Sequence, residues 1–295
     1  MDIYVSPESV SSDQPAYRMH QESVVFKGEK QYDLKNWSRE ENELFHFSLT
    51  NTLGWWKDTG LATDSIVYGE QRFAEDGAQP FSWEAIPFPK GSWYQIQNWP
   101  VVQQLSILTQ VCFGTFKRKE ASLDDHPYVH SKPAVDQRPC AFCKSEVIEK
   151  QKVFEGKYCQ ILYDYRPIGL GEDKIHFLVV PKEHRQGYLD MTDEEALEMQ
   201  ELCQRLSAYV EKTQEVGSLY LFHKTGRRAG QNVPHYHCHV IATKNRHADC
   251  WSKLTMLWRI SGLANKPIGD KALAEKVSFY KEEFKHLPPV AATSQ

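Results

Sequence analysis

The stretch Gly230-Gln-Asn-Val-Pro-His235-Tyr-His237-Cys-His239-Val-Ile241 decides how this chain is interpreted. Its three histidines alternate with a tyrosine, a cysteine and a valine. Alternate side chains of a β-strand lie on one face, about 6.6 Å apart, so the pattern predicts a strand over 233–241 with a row of three imidazoles. A buried strand cannot hold three imidazoles without hydrogen-bond partners. An ordinary exposed strand has no need of three histidines on one face. The row therefore indicates a catalytic or metal site.

Hydrophobic patterning around this stretch predicts a sheet with one helix. Thr192-Asp-Glu-Glu195 has the spacing of a capping box, and apolar residues at helical spacing follow it as far as Thr213. The predicted elements are strands at 152–155, 158–163 and 175–180, the helix after Thr192, a strand at 218–222, a loop at 224–230 and the histidine strand. The order β-β-β-α-β-β predicts the α+β class, an antiparallel sheet with a helix packed on one face. Further helices are predicted at 251–261 and 272–284.

The first half of the chain carries weaker signals. Ser38-Arg-Glu-Glu41 is a second capping-box pattern and predicts a helix that reaches about Leu53. The segment 65–90 aligns strand for strand with 218–244, with one residue of difference in length, which indicates a degenerate half-repeat without the histidines. The alternative is two unrelated strand-loop-strand units.

Two prolines among mostly polar residues at 131–139 predict a linker. The predicted organisation is an N-terminal α+β domain over 1–135, a second domain over 136–286 and a flexible tail over 287–295.

Composition excludes several classes of protein. Lys+Arg minus Asp+Glu is 35 − 39 = −4, so bulk nucleic acid is not an expected ligand. The apolar runs are far shorter than the roughly 20 residues of a membrane span, so no membrane association is expected. No secretory pattern begins the sequence, and the cysteine count of 7 is odd, so we expect reduced thiols and a cytoplasmic location.

Cys140-Ala-Phe-Cys143 has the spacing of a zinc-ligand pair. Tetrahedral zinc takes about four sulfur or nitrogen ligands, and His184 and His235 are candidates for the other two. Two alternatives stay open. The cysteines are buried free thiols, or the three histidines of the row bind a catalytic metal by themselves.

Four motifs together resemble the histidine triad (HIT) superfamily, in its zinc-containing branch, over about 136–286. They are Cys140-x-x-Cys143, Asp164-Tyr-Arg-Pro167, His176-Phe-Leu-Val-Val-Pro-Lys-Glu-His184 and the Gly230–Ile241 stretch. The resemblance implies a HIT-like antiparallel sheet with a packed helix, and it makes the N-terminal domain a candidate degenerate HIT-like half. It also implies a nucleotide substrate, attack of an imidazole on the α-phosphorus, and hydrolysis of the resulting nucleotidyl-histidine.

The resemblance also implies roles for single residues. His237 matches the nucleophile, His239 would position the phosphate or orient the nucleophile, and His176 would lie near the phosphate. The implied nucleotide-binding residues are Asp164 at the ribose hydroxyls, Gly230, Gln231, Asn232 and Lys224. The implied ligands of a structural zinc ion are Cys140, Cys143, His184 and His235. Simpler alternatives are a satisfied strand histidine at 176 and a turn residue at 164.

The chain departs from the family pattern at informative places. About four extra residues separate Pro167 from His176, which suggests a remodelled ribose side. Lys224 stands where asparagine is common, and with Arg227 and Arg228 it forms either a cationic loop for an anionic leaving group or a solvated basic loop. The third histidine replaces the glutamine of the related uridylyltransferases and favours hydrolysis over transfer.

The leading hypothesis is thus a nucleotide hydrolase that cleaves at a nucleoside α-phosphate. The alternatives are a nucleotidyltransferase, a cap-scavenging pyrophosphatase, and a non-catalytic nucleotide-binding regulator with a protein-binding N-terminal half. HIT domains pair as dimers, so we expect a homodimer or, if the half-repeat is genuine, a monomeric pseudo-dimer.

Overall fold

One continuous β-sheet joins the two halves of the chain. The computed structural model describes residues 2–5, 17–20, 23–28, 33–60, 62–74, 77–78, 81–89, 118–121, 136–168, 174–213, 216–227, 229–243 and 266–287. The strands of these residues are β1 (Asp2–Val5), β2 (Tyr17–His20), β3 (Ser23–Gly28), β4 (Ala62–Ala74), β5 (Gly77–Ala78), β6 (Ser82–Pro89), β7 (Arg118–Ala121), β8 (Lys152–Glu155), β9 (Cys159–Tyr163), β10 (Ile175–Pro181), β11 (Ser218–Thr225) and β12 (Cys238–Thr243). Their order is β7-β2-β3-β6-β4-β11-β12-β10-β9-β8, with β1 beside β3 and β5 beside β4.

Three of the four α-helices in the described residues cover one face of this sheet. The four are α1 (Arg39–Asp58), α2 (Ser145–Gln151), α3 (Asp193–Thr213) and α4 (Asp270–Glu283), with short 3-10 helices at Leu34–Asn36, Ala141–Cys143, Tyr188–Asp190 and Phe284–His286. The main hydrophobic core lies between the sheet and α1, α3 and α4. Tyr280 of α4, for example, stacks on Tyr163 and packs edge-on against Phe177. None of the helices described here has both the length and the apolar character that a bilayer crossing needs.

The β-β-β-α-β-β order predicted for the second half is confirmed. The predicted histidine strand over 233–241 is wrong at its start, because β12 begins only at Cys238. Pro234 has no N–H to donate to a sheet, and the N–H of Tyr236 donates to the carbonyl of Arg185 instead of to a strand. His235 and His237 therefore lie in the segment that leads into β12. The predicted helix over 251–261 lies outside the described residues.

The helix predicted at Ser38 is confirmed, and it runs to Asp58, beyond the expected end. Ser38 Oγ accepts the N–H of Glu41, and the Glu41 carboxylate accepts the N–H of Ser38. Thr192 and Glu195 make the same two bonds at the start of α3. The two capping boxes are 192 − 38 = 154 residues apart.

The separation of 154 residues recurs along the chain. The 3-10 helices Leu34–Asn36 and Tyr188–Asp190 are also 188 − 34 = 154 residues apart. The buried positions of α1 are buried again 154 residues later, with one exception at Gly54. The strand order is symmetric as well, since β4 and β11 meet at the centre and each is followed outward by its hairpin partner, β6 or β12. The internal repeat indicated by the sequence is thus present in the topology.

The structure shifts the sequence alignment of the repeat by one residue. Aligning Ser65 with Ser218 implies a separation of 153, which would place equivalent side chains on opposite faces of the sheet. At 154, Tyr68 matches Phe222, which is its direct neighbour across the β4–β11 pair. Their hairpin partners are Glu84 and His239, and 239 − 84 = 155. The two hairpins therefore differ by one residue in length, as the sequence alignment indicated.

Candidate active site and metal centre

Two groups of chemically active side chains lie next to each other at the head of β12. In the first group, the ligand atoms of Cys140, Cys143, His184 and His235 all lie within 4.8 Å of one another. Cys140 Sγ lies 3.3 Å from His235 Nδ1, and Cys143 Sγ lies 3.2 Å from His184 Nδ1. A tetrahedral zinc ion with ordinary bond lengths separates sulfur and nitrogen ligands by roughly 3.5 Å. The four residues therefore have the composition and spacing of a zinc site.

The surroundings of this group also suit a cation. His235 is fully buried, and its Nε2 donates to the carbonyl of Pro181 at 2.9 Å, which leaves the Nδ1 lone pair directed at the cysteines. A second hydrogen bond of this kind orients most metal-binding histidines. Burial, together with the neighbouring Cys143, raises the pKa of Cys140 to about 11. A dication would supply the positive charge that two thiolates need at this place.

His237 is held with one ring nitrogen occupied and the other available. It is 8% exposed, and its Nδ1 donates to the carbonyl of His235 at 2.6 Å. Its Nε2 therefore carries the lone pair of the neutral ring. Burial lowers the pKa of His237, which favours this neutral form. A neutral imidazole with a fixed tautomer is a competent nucleophile.

His239 and His176 form a stacked pair beside His237. The ring of His239 lies 4.3 Å from that of Phe222 and 4.7 Å from that of His237, measured between centroids. His239 Nδ1 lies 2.9 Å from Nε2 of the fully buried His176. The first histidine belongs to the metal group, whereas the second and third lie together. His235 and His237 both precede β12, so the alternation of a strand does not place them on one face.

Asp164 ends β9 next to His176. One carboxylate oxygen accepts the N–H of Arg166 at 2.9 Å, as in a turn, and the other lies 3.1 Å from Nδ1 of His176. The oxygens of Asp164 thus take part in a turn and also face the histidine pair. The extra residues that follow lie outside the described part of the chain, apart from Ile168 and Lys174 at their ends.

The loop between β11 and β12 is held by its own glutamine. Gln231 accepts the N–H of Gly226 at 2.8 Å and donates to the carbonyl of Gln186 at 2.9 Å. Gly226 and Gly230 have φ angles of +86° and +80°, which residues with a Cβ rarely adopt. The amide of Gln231 was expected at the phosphate, but the structure uses both its ends inside the protein. Asn232 is exposed at the end of this loop.

Sequence reasoning missed a brace between the metal group and this loop. Arg138, two residues before Cys140, donates to the carbonyls of Gln231 at 3.2 Å and Asn232 at 3.1 Å. Its guanidinium also pairs with Asp136, which exchanges hydrogen bonds with Gln186. No local sequence signal marks this brace, since its members lie far apart along the chain.

The N-terminal half supports the same loop from the other side. Ala229 is buried against Ile66, Ile86 and Phe88. A Cβ on Gly226 would lie 2.3 Å from the carboxyl carbon of Asp64. The loop therefore rests on side chains of β4 and β6, and a larger residue at 226 would clash with them.

Lys224 brings a positive charge to the site. The register of β11 and β12 ends at His223 with Cys238, and Lys224 is the next residue of β11. Burial, together with the charge of Lys224, lowers the pKa of His237, so this charge acts on the nucleophile. Its ammonium lies 5.5 Å above the ring of Phe222. Burial lowers the pKa of Lys224 to about 8. Arg227 is 71% exposed and lies 3.9 Å from Asp136, and Arg228 lies outside the described residues.

Comparison with known proteins identifies the family. A model of the HIT domain matches residues 145–246. The chain is 31% identical over 106 residues to an uncharacterized HIT-like protein of Borreliella burgdorferi, which covers 35% of this chain and 73% of that protein. It is 34% identical over 110 residues to an uncharacterized HIT-like protein of Methanocaldococcus jannaschii, which covers 35% and 77%. The chain belongs to the HIT family, as its motifs predicted.

Other similarities extend further along the chain. Adenylylsulfatase HINT3 of Arabidopsis thaliana is 28% identical over 158 residues, 52% of this chain and 73% of that protein. A uridylyltransferase mutant superposes with a TM-score of 0.51 at 13% identity, covering 89% of this chain and 78% of that one. The galt-like protein of Arabidopsis thaliana gives 0.50 at 10%, covering 87% and 83%. At these identities the structures show the fold alone, and the fold includes both halves.

Proposed function

We propose that this chain hydrolyses nucleotides at the α-phosphate through a nucleotidyl intermediate on His237. The carrying observation is the hydrogen bond from His237 Nδ1 to the carbonyl of His235, which leaves Nε2 as the nucleophile. Membership of the HIT family agrees with nucleotide chemistry.

The proposed reaction has two displacements at phosphorus. In the first, the Nε2–P bond forms and the bond from phosphorus to the leaving-group oxygen or nitrogen breaks. In the second, water attacks phosphorus, the N–P bond breaks and a nucleoside monophosphate leaves, while the water proton passes to solvent or to a site base. Lys224 and the backbone of the Gly230 loop stabilise negative charge on the phosphoryl oxygens. Asp164 receives the ribose hydroxyls, and Asn232 contacts the phosphate.

For Gln231 we propose a role other than direct contact with the phosphate. Its amide braces the phosphate loop from within, so its contribution to binding is through the shape of the loop. His239 lies beside the nucleophile and acts on the phosphoryl group from there, whereas His176, whose ring nitrogens contact the Ile168 amide and His239, acts through His239.

We propose that Cys140, Cys143, His184 and His235 hold a structural zinc ion. All four positions of a tetrahedral ion are then filled by protein. Such an ion would fix His235, whose carbonyl accepts the hydrogen bond from Nδ1–H of the nucleophile His237. Arg138 would connect the same segment to the phosphate loop.

The leaving group is proposed to be anionic, because Lys224 brings a cation to a site that also has to hold the phosphate. Dinucleoside polyphosphates and nucleotide sugars release such an anion and are the favoured substrates. Nucleoside phosphoramidates, which release an amine instead, are the further candidate class. The similarity to an adenylylsulfatase adds a nucleoside phosphosulfate to this list.

One chain is proposed to act as a monomeric pseudo-dimer of residues 1–135 and 136–286. Strand β4 already pairs with β11, where a second copy would otherwise extend the sheet. A solution mass of 34.2 kDa is expected, and twice that mass would contradict the proposal. A cytoplasmic location agrees with the free thiols of the described cysteines.

The test is turnover of a panel of these four substrate classes in H₂¹⁸O. Hydrolysis predicts a nucleoside monophosphate with one ¹⁸O atom on phosphorus. Unlabelled product that appears only when sugar phosphate or inorganic phosphate is added would favour a transferase. Tight binding without any product would favour the regulator and refute the proposal.

A further inference from the structure

The hydrogen bonds of His176 determine which ring nitrogen carries its proton. His176 is fully buried on β10, and its Nδ1 accepts the backbone N–H of Ile168 at 3.0 Å. A backbone N–H can only donate, so this Nδ1 has to carry a lone pair. The ring proton of neutral His176 therefore lies on Nε2.

The same reasoning extends to His239. Nε2 of His176 lies 2.9 Å from Nδ1 of His239, and it carries the proton, so Nδ1 of His239 is the acceptor. The proton of neutral His239 then lies on its own Nε2. Burial lowers the pKa of both rings, to about 4 for His176, so both are neutral near pH 7.

In a competing arrangement, the ring protons of His176 and His239 each lie on the other nitrogen. Asp164 also lies close to His176, with Oδ2 at 3.1 Å from Nδ1. If Nδ1 donated to this carboxylate, His176 Nε2 would become an acceptor and His239 would be left with a bare Nε2. His239 would then be a base instead of a donor.

The contacts favour the arrangement set by the amide. Among the described contacts of His176 Nδ1, the Ile168 amide is the one with hydrogen-bond geometry. Reversing the protons would leave this buried amide without an acceptor, which is costly in a protein interior. Asp164 already accepts the N–H of Arg166, so it does not depend on His176 for a donor.

We propose that the backbone amide of Ile168 sets the tautomers of His176 and His239, so that His239 presents an Nε2–H donor to the phosphoryl group on His237. The action on phosphate rests on the proposed function, whereas the tautomers do not. Ile168 is then a positioning residue that acts through its main chain. Oδ2 of Asp164, which faces a lone pair, is left to accept a substrate hydroxyl.

The test is the ¹⁵N spectrum of the histidine rings in the intact, metal-loaded protein. Two-bond nitrogen–proton correlations distinguish the two neutral tautomers. The proposal predicts the proton on Nε2 in His176 and His239 and on Nδ1 in His237. A proton on Nδ1 of His176 in the wild-type protein would overturn it.

Three variants separate the amide from its surroundings. Ile168→Pro removes the N–H and is expected to move the proton of His176 to Nδ1, whereas Ile168→Ala removes only apolar contacts and should keep it on Nε2. Asp164→Asn should also keep it there, since the amide still donates. A proton that lies on Nδ1 of His176 in the wild-type protein and moves to Nε2 in Asp164→Asn would show that the carboxylate sets the tautomer, and would refute the proposal even if Ile168→Pro fails to fold.

Kinetics give a separate measurement. Relative to Ile168→Ala, Ile168→Pro is expected to lose about tenfold or more in kcat, with nucleotide Kd changed less than about threefold. An unchanged kcat together with a reversed tautomer would refute the donor role of His239. Absence of turnover in the wild-type protein would refute the proposed function, while the wild-type spectrum would still decide the tautomers.

Discussion

The two halves of this chain have the same scaffold and different chemistry. The helix, the hairpin and the strand order repeat, yet Ser82 and Glu84 occupy the positions that correspond to His237 and His239. Both groups of candidate metal ligands found among the described residues belong to the second half. Function therefore follows the side chains placed on the scaffold, and the scaffold alone does not specify it.

Charge differs between the halves in the same way. Lys224 corresponds to Glu70, since 224 − 70 = 154, and Glu70 accepts from Arg72 at 2.9 Å. In the part of the chain that the structure describes, Lys224 has no carboxylate partner, so its charge is available to an anion. The first half thus has a neutralised pair where the second half has a cation.

The largest expected effect comes from the nucleophile. His237→Ala should lower kcat/KM at least about 10⁴-fold, because no other group replaces the attacking nitrogen. Ser82→Ala, at the corresponding position in the first half, should stay within about twofold. Steady-state kinetics on the best substrate of the panel measures both, and equal losses would break the contrast between the halves.

Loss of the metal group should destabilise the second half. Cys143→Ser is expected to reduce bound zinc from one per chain to under about a tenth, and to lower the free energy of unfolding by at least about 4 kcal/mol. Elemental analysis and denaturant unfolding measure the two quantities. Ser145→Ala, in the same exposed segment, is the control. Full stability without zinc would contradict a structural role.

Exchanging the charge at Lys224 for that of its counterpart should be the next largest effect. Lys224→Glu is expected to lower kcat/KM by about 10²–10³-fold, since it replaces a stabilising cation by an anion next to the phosphate. Glu70→Gln should change kcat/KM by less than about twofold. A similar loss in both variants would show that the charge acts on folding and not on substrate.

The contact of α3 with α1 and the segment before it should contribute to stability but not to catalysis. Gln204 accepts from Asn42 at 2.8 Å and donates to the carbonyls of Leu34 and Trp37. Gln204→Leu leaves these buried groups unpaired and should cost about 2 kcal/mol of unfolding free energy. Thr50, its counterpart in α1, has a buried hydroxyl with no hydrogen-bond partner among the described residues, so Thr50→Val should cost nothing measurable. Denaturant unfolding of both variants measures these costs. A larger loss of unfolding free energy in Thr50→Val than in Gln204→Leu would contradict the prediction.

The smallest expected effect is a pH dependence. Burial lowers the pKa of Lys224 to about 8, so its charge is present below pH 8 and lost above it. The value of kcat/KM should therefore fall about tenfold per pH unit above pH 8. Lys224→Arg should stay active to higher pH, because guanidinium keeps its proton. A wild-type profile that stays flat from pH 7 to 10 would exclude this role.

Sequence predicted the parts of the fold and site that depend on local patterns. Capping boxes are contained within four residues, so Ser38 and Thr192 marked both long helices correctly. The start of β12 was missed because the partner of the Tyr236 amide is the distant carbonyl of Arg185. The repeat was aligned one residue out of register, since the face of each strand is defined only by its neighbours across the sheet.

The same distinction between local patterns and contacts of distant residues holds for the candidate site. The motifs named the residues that meet at the metal group and beside His237, because each motif is a short stretch. The use of the Gln231 amide and the brace at Arg138 depend on contacts between distant residues, and no pattern in the sequence marks them. Lys224 was recognised as a departure, but the effect of its charge on His237 follows only from the folded structure.

The central claim is that phosphorus becomes bonded to one imidazole of the second half. Rapid acid-free quenching of the enzyme with substrate, followed by mass spectrometry of the digested protein, tests it most directly. We expect a nucleotidyl group on the peptide at His237, absent from His237→Ala and never present on the corresponding peptide at Ser82. Turnover at full rate without any such adduct, or an adduct on another residue, would contradict it.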